Sequence, residues 1–183
     1  MYPNTFTELI FAEEKKERPS PGEVYRKTVL DIPSFLLRSA TEEYSFGKQA
    51  FIDWAESFQN GTFDGVPANE INVWNVHGTY LCMAGTNGCA DHCLKNALQY
   101  NPDMTFIKDL LPLYEKQQLV FHDLAYRDAN GRIDYQNGGM QGGFNIKPET
   151  IKNKELMKPI SNKIMESAKI CDEILEVFHR AGV

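Results

Sequence analysis

The chain has 183 residues, with 42% hydrophobic and 24% charged side chains and a net charge of −6. That length suits one domain with a sizeable core, and the acidic balance excludes the basic face that nucleic-acid phosphates or an anionic membrane surface would require. No apolar run approaches the ~20 residues of a membrane span, and the N-terminus lacks a secretory leader's basic start and cleavage site, so a cytoplasmic setting with reduced thiols is expected.

Residues 5–12 are β-prone but have no neighbouring strand pattern. An isolated strand has unpaired edges, so this segment is expected to pair with a protein partner or with a missing N-terminal domain. The charged run Glu13 to Arg18 and then Pro19-Ser-Pro-Gly22 read as a linker. Residues 1–20 are therefore expected to form an extended arm and linker, and 21–183 a single helical domain.

Beyond the linker every apolar pattern has the 3.6-residue period. Ser20 with Pro21 and Glu23 signals a helix start, and the helix runs to about Asp31. Pro33 restarts a short helix over 34–38. Ser45 is the expected cap of the next, where Phe46, Ala50, Phe51, Trp54, Ala55 and Phe58 mark one apolar face and Asn60-Gly61 the end. Further helices are expected over about 68–84, 88–100 and 103–127, with Pro112 kinking or splitting the last. Residues 128–147 read as a loop. Pro148 opens a helical pair broken again at Pro159, and Ile164, Ala168, Cys171, Ile174, Leu175 and Phe178 form a final stripe. The fold class expected is all-α, an irregular multi-helix bundle with a short extended N-terminal arm.

Chemistry-bearing residues are densest between His77 and Cys93, which hold three of the four cysteines and two of the four histidines. Cys89, His92 and Cys93 fall at i, i+3 and i+4 on one helical face. Cys82 or His77 could complete a four-ligand zinc set, but the Cys-x6-Cys-x2-His-Cys spacing is not a zinc signature. Cys89 near a helix N-terminus has the placement of an activated thiol. His92, three residues along the same helix, is poorly set to aim at it and leave room for a substrate. The bunched thiols are therefore read as small buried hydrophobes that bind no metal and no cofactor.

His122 and Asp123 point about 100° apart on a helix and do not form a dyad. The acid pairs Glu13-Glu14 and Glu42-Glu43 read as solvated. The glycine-rich stretch from Asn137 to Asn145 lacks the strand and lysine of a phosphate cradle, and reads as a tight crossing anchored by Phe144. If the bundle binds a small molecule, the candidate lining is Trp54, Trp74, His77, Tyr80, Cys89, His92 and Phe144.

Six phrases carry a resemblance: Leu9-Ile-Phe-Ala-Glu-Glu-Lys-Lys16, Ala40-Thr-Glu-Glu-Tyr-Ser-Phe-Gly47, Val76-His-Gly-Thr-Tyr-Leu-Cys82, Ala84-Gly-Thr-Asn-Gly88, Gln99-Tyr-Asn-Pro-Asp-Met104 and Gly142-Gly-Phe-Asn145. Together they resemble the C-terminal helical region of bacterial proteins of uncharacterised function similar to butirosin-biosynthesis protein H. In that family a papain-like, bacteriocin-processing-peptidase-like domain comes first and holds the catalytic Cys and His. The resemblance implies that no catalytic residue is carried by this chain, and that it is a helical accessory or interaction domain of a cysteine-peptidase-like or acyltransferase-like protein. A small-molecule-binding bundle is the alternative, and a thiol- or metal-dependent enzyme using the Cys82–Cys93 cluster a second. A homodimer and a small-molecule ligand stay open as partners.

Overall fold

The computed structural model describes residues 18–72, 89–122, 124 and 146–183. Among them are seven bounded helices and no strand. The helices are α1 (Pro21–Leu30), α2 (Ile32–Leu36), α3 (Gly47–Ser57), α4 (Cys89–Tyr100), α5 (Ile107–His122), α6 (Pro148–Ile151) and α7 (Lys154–Ala181). Residues 68–72 are also helical, and the continuation expected to 84 lies outside the described residues. So do residues 5–12 of the expected arm and 128–145 of the loop expected over 128–147. The chain is an all-α multi-helix protein, and none of its described helices is long and apolar enough to cross a membrane.

The start of α1 follows from its sequence. Ser20 Oγ accepts from the Glu23 amide at 3.2 Å, and Glu23 Oε2 accepts from the Ser20 amide at 2.7 Å. This reciprocal capping satisfies two otherwise orphaned donors. Asp31 ends α1 and opens α2, where the Phe35 amide donates to its carbonyl at 3.1 Å. The second helix starts two residues before the expected 34–38, because Pro33 fits the first turn, where its missing N–H is not needed.

Three expectations are corrected. Ser45 does not cap α3; the cap position is Phe46 and has no side-chain bond, while the Ser45 hydroxyl donates to the Asp53 carboxylate. That helix ends at Ser57, ahead of Asn60-Gly61, which lies within a turn where Asn60 Oδ1 accepts from the Thr62 amide at 3.0 Å. Pro159 does not break the last helix: α7 runs unbroken through it for 28 residues. The break falls at Asn153, whose Oδ1 accepts from the Leu156 amide at 3.2 Å.

Pro112 likewise lies inside an undivided α5, whose described part ends at His122 rather than near 127. Both prolines are exposed, as are Lys108 and Glu155 one turn before them, so water can satisfy the carbonyls they leave unpaired.

The helix α7 organises the packing. Its first half, with Met157, Ile160 and Ile164, joins a core made with Ala55, Phe58, Phe63, Ile71, Phe121, Leu124, Ile146 and Ile151. Its second half, with Ile170, Ile174, Val177 and Phe178, joins another made with Val29, Leu94, Ala97, Met104, Ile107, Leu110 and Val120. Neighbouring Val120 and Phe121 of α5 serve different cores. At about 1.5 Å per residue, α7 spans roughly 42 Å and runs through both. Its adjacent Asp172 and Glu173 pair outward to different helices, Lys48 of α3 at 2.7 Å and Lys116 of α5 at 2.7 Å.

Gly47 shows how α2 meets α3. Its φ is +53°, and a Cβ there would lie 2.5 Å from the carbonyl oxygens of Phe35 and Leu36. Only glycine lets the start of α3 approach the end of α2 this closely.

Candidate functional site

The helix α4 separates the residues of the suspected thiol cluster. Cys89 and His92 are exposed, while Cys93 is turned partly inward. The His92 ring nitrogen Nε2 lies 3.1 Å from Asn96 Nδ2, which also donates to the Tyr25 hydroxyl at 3.2 Å. Tyr25 in turn stacks on Tyr100, with ring centroids 5.5 Å apart. His92 therefore faces an amide that ties α4 to α1, and no bond joins it to a described thiol.

Burial pushes the Cys93 thiol above its ordinary range. Burial also pushes Cys171, on α7, up to about 11, against a partial offset from the Gln117 amide 3.9 Å away. The Tyr114 phenol beside these thiols is raised as well, first by burial and then by Cys171 and Cys93. All three stay protonated near neutral pH, the opposite of an activated nucleophile. Among the described residues no group of three or more His, Cys, Asp and Glu side chains could hold a metal ion.

Trp54 packs partly buried against the first core. Trp74, His77, Tyr80 and Phe144 lie outside the described residues, as do Cys82, Asp123 and the His122 side chain. Of the described candidates, Trp54 belongs to α3, while Cys89 and His92 lie one turn apart and exposed on α4 with no hydrogen bond between them.

Two other features stand out. The first is a run of exposed large apolar side chains along the segment that carries α1 and α2. Phe35 is 61% exposed, Leu37 66% and Tyr44 65%, and Val24 and Leu30 are also exposed. These are five of the eight large hydrophobic side chains exposed among the described residues, so the outward apolar surface is concentrated within 21 residues.

The second is a groove of about 660 Å³ where the end of α1, the turn between α4 and α5, and the last turn of α7 converge. Its apolar lining comes from Leu30, Phe106, Ala181 and Val183, with Met104 and Val177 almost fully buried at its edge. One wall is fixed by Arg26, which donates to Asn101 Oδ1 at 3.1 Å and to both Asp103 carboxylate oxygens at 2.7 Å. The buried Asn101 amide in turn donates to the carbonyls of Gly22 at 3.0 Å and Ala97 at 3.2 Å, pinning α1 to the end of α4. Asp109 and Arg180 also line this groove. Among the described residues neither has an ion-pair or side-chain hydrogen-bond partner.

Sequence reasoning missed this groove. Its residues come from 26–30, 103–109 and 177–183, so no local spacing marks them. Compared with known proteins, the chain matches no family model, no curated protein and no solved structure.

Proposed function

We propose that this chain is a non-catalytic helical accessory module that docks, in the cytoplasm of a bacterium, on a cysteine-peptidase-like or acyltransferase-like protein. The observation that carries the reading is the concentration of exposed apolar side chains on α1, α2 and the segment after them. Solvated singly, such side chains need no explanation; gathered on consecutive elements, they suit a surface that another protein covers. Phe35, Leu37 and Tyr44 are large and exposed, as interface anchors are before binding. The raised Cys93 and Cys171 thiols support a packing role for those two cysteines.

The competing class is a thiol-dependent enzyme, which would use the exposed Cys89. The test mixes the protein with the papain-like domain of a relative of butirosin-biosynthesis protein H and follows the mixture by size-exclusion chromatography. The parent chain co-elutes with that domain, and a Phe35→Glu, Leu37→Glu double variant elutes alone. Separate elution of the parent, or unchanged co-elution of the variant, refutes the docking face. Turnover of a thiol-directed acyl or peptide probe by the chain alone, lost in Cys89→Ser with the fold intact, would move the chemistry into this chain.

A further inference from the structure

We propose that the groove between α1, α5 and α7 is a peptide site, which takes an extended segment of the docking partner bearing a large apolar side chain between one basic and one acidic residue. The proposal rests on the docking reading above, because Leu30 belongs both to the exposed apolar surface and to the groove.

Its volume of about 660 Å³ falls within the ~300–1,000 Å³ typical of sites that enclose a compact ligand. The lining is divided in a way that specifies the occupant. Leu30, Phe106 and Val183 offer partly exposed apolar surface for one large side chain, while Met104 and Val177 border it almost fully buried. Arg26 is held by Asn101 and Asp103 through Nε and Nη2 and serves as frame. Asp109 and Arg180 are left over, an exposed acid and an exposed base in the same groove with no partner among the described residues.

Each of these charges is favourably placed at its own helix end, Asp109 in the first turn of α5 and Arg180 in the last turn of α7. That accounts for their signs. It does not account for their convergence on one groove, where the neighbouring Arg26 and Asp103 pair and these two do not. An occupant with one charge of each sign answers both, and its apolar side chain covers the lining between.

The test uses the full chain, labelled with ¹⁵N, and three capped tetrapeptides: Lys-Leu-Phe-Glu, the reversed-charge Glu-Leu-Phe-Lys, and the neutral Ser-Leu-Phe-Ser. Both charge orders are included because the chain direction of the bound segment is set by whichever order fits. The expected result is that amides around Met104, Phe106 and Val177 shift on titration in the millimolar range. One charged order binds more tightly than the neutral peptide, by up to about fivefold for each exposed pair formed. Asp109→Asn or Arg180→Gln then removes its share of that advantage and leaves the neutral peptide's affinity unchanged. Both side chains are exposed and have no ion-pair or hydrogen-bond partner among the described residues, so each variant loses only its helix-end charge and keeps the fold, which circular dichroism verifies. Absence of shifts at the groove with all three peptides overturns the proposal, as does a charged-peptide affinity untouched by both variants. If the groove is silent while Phe35→Glu with Leu37→Glu still abolishes co-elution, this inference falls and the docking reading stands.

Discussion

Truncating α7 in either core should unfold the whole described bundle in one step. Ile164 lies in the first core at 1% exposure and Ile174 in the second at 0%. Replacing a buried isoleucine by alanine costs about 2–5 kcal/mol, from lost transfer energy plus the cavity left behind. The two sites are ten residues apart, roughly 15 Å along the helix, so their effects should add. The double variant then loses about 4–10 kcal/mol, comparable with the ~5–15 kcal/mol total stability of a domain. Each single variant should lower the thermal midpoint by ~4–20 °C, at about 2–4 °C per kcal/mol for this chain length. The assay is urea and thermal unfolding followed by helical circular dichroism and by tryptophan emission, to which Trp54 beside the first core contributes. Because one helix is common to both cores, the two signals should shift together for either substitution. Two separate transitions, with Ile174→Ala moving one alone, would refute the claim that α7 couples the cores.

The remaining predictions concern single sites. Gly47→Ala should be strongly destabilising, since it adds ~1–2 kcal/mol for a left-handed residue to a clash with the Phe35 and Leu36 carbonyls. Gly65→Ala, at φ +74° with nothing within 4 Å, carries the backbone cost alone, and equal denaturation midpoints for the two would contradict the close approach. Arg26 holds the Asp103 carboxyl below its ordinary range, so this contact contributes stability above the unfolded carboxylate pKa and loses it as pH falls through the lower folded value. Asp103→Asn should flatten that part of the acid limb in pH-dependent unfolding, and an unaltered limb would count against the pair. Iodoacetamide with peptide mapping should label the exposed Cys89 well before the buried Cys171, whose thiol burial keeps protonated; equal rates in the folded protein would refute that assignment.

What could be read from the sequence was what neighbouring residues decide together. The Ser20, Pro21 and Glu23 signal marks α1 because capping is a contact across three residues. The stripe from Ile164 to Phe178 marks α7 because burial repeats with the helical period. Pro159 misled, because whether a proline breaks a helix depends on which face it occupies. Ser45 misled because its hydroxyl had a competing acceptor in Asp53, eight residues away. Gly47 gave no signal, since its role is set by the approach of another helix. The groove was invisible for the same reason: Arg26, Asp109 and Arg180 meet only in the folded chain.

The two ion pairs from Asp172 and Glu173 matter less for stability than for alignment. Each is partly exposed and contributes on the order of 0–1 kcal/mol. Yet successive helical residues point about 100° apart, and these two reach different neighbours, Lys48 of α3 and Lys116 of α5. A long helix between two packed neighbours can roll about its own axis at small cost when its apolar stripe is broad. Both contacts are already close at 2.7 Å, so a rolled α7 would stretch them. The pair therefore acts as a rotational stop, and by setting the azimuth of α7 it also sets the direction in which Arg180, two turns further on, enters the groove.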